Sequence, residues 1–318
     1  MAISIGPGLT ITGGLFFETG ALVPDNPDRG LFGGGIDNTR TNTIEYVSIA
    51  TLGNTTDFGD LTQARSSLAA CSSLTRGLFG GGNNTSFARV NTIDYVTIAS
   101  VGDATDFGDL TVTNDQLTGA SSSTRGLFAG GNTGDYSNLI DYVTIASAGN
   151  ATDFGDLTQA RLGLAGCASP TRAVFAAGRP SGIAGNTIDY VTIASTGDAI
   201  DFGDVTSSRA FLAGCSSSTR GVFGGGNFDG TTVNIIDYVT IASTGNAIDF
   251  GDLTQARYDL AASSSTTRGI FGGGFTGALS NVIDYITIAS TGNAVDFGDL
   301  SLPRYRLAGC SSNHGGLQ

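Results

Sequence analysis

The sequence predicts an all-β fold, a six-bladed β-propeller of four-stranded blades, with the ring closed by pairing the C-terminal strand with the N-terminal blade. Three observations carry this. A phrase close to TRGLFGGG, NTIDYVTIAS, TDFGDLTQAR recurs six times in 318 residues. Its anchors are Arg29, Arg76, Arg125, Arg172, Arg220 and Arg268; Tyr46, Tyr95, Tyr142, Tyr190, Tyr238 and Tyr285; and Phe58, Phe107, Phe154, Phe202, Phe250 and Phe297. Tyr to Phe is always 12 residues and Phe to the next Arg always 18, giving a period of 47 to 49, in the range of propeller blades. Within each copy, four short extended runs are separated by Gly, Asn and Asp, with no helical periodicity. Finally, the first copy lacks an opening strand and the last opening strand lacks its successors, so the two chain ends complete one blade.

The first strand reads RxxLAGCSS, as in Arg257–Ser264 and Arg304–Ser311. Its small residues suit the innermost position, where blades converge on the axis. The second, RGLFGGG (Arg76–Gly81), ends in glycines that mark a strand end and tight packing. The third, NTIDYVTIAS (Asn91–Ser100), puts Ile93, Tyr95, Thr97 and Ala99 on one face and Asp94, Val96 and Ile98 on the other. The fourth, ATDFGDLT (Ala104–Thr111), follows turns such as STGNA and SVGDA, which supply Gly with Asn or Asp where φ is positive.

Composition bounds the function. All 15 basic residues are Arg and the net charge is −13, so there is no basic footprint for nucleic acid or for an anionic membrane surface. No run approaches the roughly 20 apolar residues of a membrane helix. The N-terminus lacks the basic and apolar regions of a secretory signal. Cys71, Cys167, Cys215 and Cys310 share one repeat position with Ala120 and Ser263, a position that asks for a small side chain. Equivalent sites on different blades also lie beyond the roughly 7 Å Cα separation of a disulfide. These cysteines are read as buried, reduced and structural.

Catalytic signals are poor, and no metal, cofactor or catalytic residue is assigned. The single histidine, His314, lies in a Gly-rich tail expected to be mobile, a weak basis for acid–base or metal chemistry. Arg and Tyr recur equally in every blade, which marks them as scaffold. In DFGD, from Asp57 and Asp60 to Asp296 and Asp299, one Asp is expected to cap the turn and the other to pair with the Arg of the repeat; calcium is the alternative. GLFGGG has neither a GK[ST] nor a following helix and is not a phosphate loop.

The glycine run, the Tyr, the aromatic 12 residues later and the Arg opening the first strand resemble the kelch repeat over about residues 29–313. Phe takes the place of the kelch Trp, and the chain contains no Trp. The near-identity of the copies, in the wording TRGLFGGG, NTIDYVTIAS, DFGDL, also resembles repeats in structural proteins of marine bacteriophages, particularly those of cyanobacteria. That resemblance implies a virion protein, made in the host cytoplasm and released by lysis.

What differs between copies lies in the loops joining the second and third strands: Ile36–Thr41, Asn83–Val90, Asn132–Asn138, Arg179–Gly185, Asn227–Val233 and Phe275–Ser280. They offer Arg40, Phe87, Arg89, Tyr136, Arg179, Phe228 and Phe275 as binding residues on one individual face. Drift of unconstrained loops is the competing explanation. The opposite face repeats SSSTR and STGNA almost unchanged. Residues 1–28 are read as a separate arm in which Ile5, Leu9, Ile11, Phe16 and Phe17 are expected to dock on another virion protein by strand addition, with a strand added to a sheet edge of the ring and a cover over its mouth as the alternatives. The expectation is therefore a non-catalytic tail, fibre or capsid-surface protein that recognises a host-surface glycan or receptor, with homo-oligomerisation on the particle left open. An intracellular adaptor, normally with an attached BTB or F-box domain, and an enzyme using a channel lined by unlike charges are the alternatives. The Ala, Gly, Cys and Ser of the first strand predict a bland channel.

Overall fold

The computed structural model describes residues 28–317. The residues expected to dock, Ile5, Leu9, Ile11, Phe16 and Phe17, lie outside the described residues. Six four-stranded antiparallel sheets follow one another around an axis. Blade 1 combines Ala308–Ser311 with Arg29–Gly33, Thr43–Ser48 and Thr56–Asp60. Blade 2 comprises Ala69–Ser72, Arg76–Gly80, Thr92–Thr97 and Thr105–Asp109. Blades 3 to 6 repeat this from Thr118, Ala165, Ala213 and Ala261. The ring closes as expected, with Gly30 opposite Ser311 and Gly33 opposite Ala308.

The innermost strand is shorter than the sequence suggests, and the reason is conformational. The second variable residue of RxxL has a positive φ in every blade: 58° at Ser67, 56° at Gln116, 65° at Gly163, 61° at Phe211, 54° at Asp259 and 58° at Arg306. Five of these are not glycine, and each such residue costs roughly 1–2 kcal/mol. The bend aims each N–H at the carbonyl of the equivalent residue one blade back. Gln116 donates to Ser67 at 2.8 Å, Gly163 to Gln116 at 2.9 Å, and so on until Ser67 donates to Arg306 at 2.8 Å. Six hydrogen bonds thus form a closed circle around the axis.

A second set of inter-blade bonds runs along the outer edge. Gly102 in the blade 2 turn donates to the Phe58 carbonyl of blade 1 at 2.7 Å, and Ala104 donates to the Asp60 carbonyl at 2.7 Å. The Asp103 carboxylate accepts the Asp60 N–H at 3.0 Å. The same clasp joins blade 6 to blade 1 through Gly53 and Asn54. Glycine is needed in DFGD because a Cβ on Gly59, itself at φ +142°, would lie 2.5 Å from the Gly102 carbonyl oxygen.

The core is divided between neighbouring blades. Leu31, Ile44 and Phe58 of blade 1, for example, meet Phe79, Val96 and Ile98 of blade 2. Each anchor Arg lies over the Tyr of its own blade, at 4.3 to 4.7 Å from the ring centre. Each Tyr meets its Phe edge to face at 5.8 to 6.2 Å. The Arg tip then reaches across an interface, as where Arg29 donates to the Ile98 carbonyl at 2.8 Å. The four cysteines are unpaired and buried. The sulfur of Cys71 packs where a Cβ on Gly126 of the next blade would lie, which explains the demand for a small side chain. Burial pushes the Cys215 and Cys310 thiols up to about 12.

The expected pairing of DFGD with Arg is not what forms. The Arg that opens RxxL pairs instead with the acid of the third strand, because its side chain folds beneath its own blade. Arg65 meets Asp94 at 2.6 Å and also donates to the carbonyls of Phe79, Gly81 and Thr92. Thr62, arriving from blade 1, donates to the other carboxylate oxygen at 2.6 Å. Arg161–Asp189, Arg209–Asp237, Arg257–Asp284 and Arg304–Glu45 repeat the ion pair, with every side chain at most 1% exposed. The DFGD carboxylates lie on the outer strands, with the first Asp of each exposed.

Blade 3 is the exception. Asn114 stands where the others have Arg, and its carboxamide bonds the Gly130 carbonyl at 2.8 Å. Asp141 is left with the hydroxyl and N–H of Thr111 and no guanidinium. Burial raises its pKa, with the Thr111 hydrogen bonds opposing. A folded-state pKa above the unfolded 3.8 means that stability is lost as pH rises from about 3.8 through the raised value.

Two substitutions test these pairs. Asn114→Arg should complete the sixth pair, add about 1–3 kcal/mol at neutral pH, and remove this loss in denaturant melts followed against pH. Arg257→Met leaves Asp284 buried without its cation and should cost about 3–5 kcal/mol in the same measurement.

Candidate functional site

The two faces differ as the repeats suggest. On the uniform face, where the first strand turns into the second, hydroxyls encircle the axis. Ser121 donates to the Ser72 carbonyl at 2.8 Å, Ser216 to Ala168 at 2.7 Å, Ser264 to Ser216 at 3.0 Å, Ser311 to Ser264 at 2.6 Å and Ser72 to Ser311 at 2.7 Å. Ala168 breaks this belt because it has no hydroxyl to offer the Ser121 carbonyl. The C-terminal turn Gly315–Leu317 lies over the gap. A Cβ on Gly316 would overlap the Ser121 carbonyl oxygen.

His314, expected in a mobile tail, is instead half-buried at this mouth. Its Nδ1 accepts the Gly316 N–H at 3.1 Å, so the proton sits on Nε2, which faces the Ser72 carbonyl at 3.3 Å and the Ser121 hydroxyl at 3.2 Å. The surrounding wall is Ala, Gly, Ser and Cys, without a carboxylate. Burial lowers the histidine pKa to about 4. The channel is bland at this mouth and through its middle, as predicted, but its opening on the variable face carries Gln116, Asp259 and Arg306, charges of both signs that the first-strand composition does not predict. Three cavities of about 50, 100 and 70 Å³ follow it, enough for a few waters.

The variable face holds something larger. The circle of bent residues places Ser67, Gln116, Gly163, Phe211, Asp259 and Arg306 around the axial mouth. Beside Phe211, Asp259 and Arg306 opens a groove of about 630 Å³, lined also by Arg179, Asn227, Thr232, Tyr258, Phe275 and Thr276. That volume is in the range of small-ligand sites, about 300–1,000 Å³. Half-buried rings run along it, Phe211 to Tyr258 at 6.4 Å and Tyr258 to Phe275 at 5.7 Å, and Phe275 packs in turn on Tyr305 behind the groove at 5.6 Å. Arg179 lies 5.3 Å from the Phe211 centroid and Arg306 5.2 Å from that of Tyr305. Arg306 Nε donates to Asp259 at 3.1 Å. Burial raises the Asp259 pKa, with the Arg306 charge opposing.

The loop residues singled out by sequence divide between two roles. Arg179 and Phe275 line the groove, and Phe228 stands 47% exposed on the adjoining hairpin Asn227–Phe228/Thr231–Thr232. The others reach toward neighbouring loops. Arg40 lies 4.2 Å from the centroid of Phe87, which is 79% exposed. Arg89 points at Gly134 of blade 3, and Tyr136 at Gly182 of blade 4. Phe211, Tyr258, Asp259, Tyr305 and Arg306 were not anticipated. Their signal is the variable pair inside an otherwise constant RxxL, which reads SS, LG, AF, YD and YR, with DQ following Asn114 in blade 3.

No family model matches the chain and no curated protein matches it significantly.

The histidine plug has a pH dependence of definite sign. A folded-state pKa depressed from 6.5 to about 4 keeps the docked tail fully stable above pH 6.5 and releases it as pH falls through about 4, when protonation of Nδ1 removes its acceptor. Hydrogen exchange of residues 313–317 should rise over that window. Gly316→Ala should give the same exchange at neutral pH.

Proposed function

We propose that the chain is a non-catalytic, kelch-like binding module of a bacteriophage virion, a tail, fibre or capsid-surface protein that holds its variable face toward a host-surface glycan or receptor. The observation that carries this is the aromatic groove and its place on the face opposite the point where the chain enters the first blade. The chain enters the first blade at Asp28, whose carbonyl accepts the Ile49 N–H at 2.7 Å and whose carboxylate accepts the Asn313 carboxamide at 2.7 Å. Both contacts are on the uniform face. Attachment of the uniform face to a particle would leave the groove facing outward. Half-buried aromatic rings flanked by Arg are the usual energetic anchors of recognition surfaces. Asp259 is the single carboxylate among the groove-lining residues, which favours binding over chemistry that needs a carboxylate pair. The phage setting is supported by the wording of the repeats.

The test has two arms. Gold-labelled antibody against the chain should mark purified particles at a tail, fibre or capsid surface; absence from particles overturns the virion setting. The isolated protein should compete with particle adsorption to host cells. Tyr258→Ala and Phe275→Ala should each weaken that competition by about 1–2 kcal/mol, roughly five- to thirtyfold. Unchanged competition by both variants would remove the groove from recognition.

A further inference from the structure

Arginine provides every cationic side chain of this protein apart from histidine, since the chain contains 15 Arg and no Lys. Six of the arginines stack on the blade tyrosines and hold carbonyls of neighbouring blades. Five are sealed in the buried ion pairs. The remaining four are Arg40, Arg89, Arg179 and Arg306, and all four lie on the variable face. A chain of net charge −13 thus keeps every cation that its scaffold does not use on the side bearing the groove.

Two of the four line the groove. Arg306 engages Asp259 through Nε, which leaves its terminal nitrogens without a partner among the described residues. Arg179 lies over Phe211 with its Nε buried and unbonded. Two guanidinium groups against one carboxylate give the groove a net positive charge. An unbonded Nε occurs among the stacked and paired arginines of the scaffold as well, so it is the terminal nitrogens of the groove arginines that are placed to meet an anionic acceptor. Tyr258, Phe275, Asn227 and Thr276 line the same groove as the two arginines.

We infer that the groove takes an acidic saccharide, its pyranose faces stacked on Tyr258 and Phe275 and a sugar carboxylate held by Arg179 or Arg306. This deepens the proposed reading of the groove as the recognition site and rests on it. A glycan suits the mixture of ring faces and hydrogen-bonding groups. Nucleic acid, with one charge per about 1.7 Å of duplex, would meet two groove cations and then an outer edge lined by the DFGD carboxylates.

The experiment measures binding of the intact protein to uronic-acid and ulosonic-acid oligosaccharides, each paired with its carboxyl-reduced counterpart of equal length. At least one acidic member should bind about tenfold or more tightly than its reduced form. Arg179→Gln and Arg306→Gln should shrink that ratio, and Tyr258→Ala should weaken both forms. Arg179→Gln leaves the Arg306–Asp259 pair intact, so its effect is separable from any loss of fold. Equal binding of acidic and reduced forms would overturn the acidic class while keeping a glycan in the groove. No saccharide binding, with adsorption still dependent on Tyr258 and Phe275, would overturn the inference in favour of a different receptor such as an acidic peptide. No saccharide binding and no such dependence would bring down the groove reading itself.

Discussion

Backbone hydrogen bonds between neighbouring blades are the interaction on which the rest of this structure depends. They occur in two complete circuits, one at the axis through the bent residues of RxxL and one at the outer edge through the turn glycines. Neither circuit involves a side chain at its central bond, so each tolerates substitution so long as the backbone can approach. Small residues secure that approach: Gly at DFGD, and Cys, Ala or Ser on the inner strand. The aromatic and aliphatic core then fills the wedge between two sheets whose separation the circuits have already set.

This arrangement decides where variation is harmless. The axial circuit uses only N–H and carbonyl groups, and its members include Ser, Gln, Gly, Phe, Asp and Arg. The same backbone geometry that closes the ring therefore carries six unlike side chains at the axial mouth. Structural constancy and chemical individuality occupy the same residues, on different atoms. Blade 3 shows the converse, where a side-chain interaction was lost and the backbone kept its course: Asn114 leaves Asp141 without a guanidinium, yet the blade retains its register.

Much of the fold was legible because repetition exposes it. Six copies of Tyr, Phe and Arg at constant spacing specify blades, and the unmatched strand at each end specifies closure. The acid that pairs with Arg was less legible. DFGD and NTIDY both offer an Asp to the same Arg, and only the fold of the side chain beneath its own blade selects Asp94 over Asp57 or Asp60. Length variation drew attention to the loops, and two of their residues, Arg179 and Phe275, do line the groove. Tyr258 and Arg306 escaped because they sit inside a constant motif whose positive φ was hidden. His314 looked mobile because glycines surround it, whereas those glycines are what let the tail pass close to the Ser121 carbonyl.

The shared blade has a bearing on how the molecule comes into being. Blades 2 to 6 are each assembled from one contiguous stretch, but blade 1 needs Ala308–Ser311 beside Arg29–Gly33, a contact spanning almost the whole described chain. During synthesis the earlier blades can stack in order while the ring remains an open arc with two unsatisfied edges. Closure of so distant a contact is slow, and until it happens those edges invite pairing with the edges of another copy. The strand Ala308–Ser311 is thus the one that turns an association-prone arc into a closed ring.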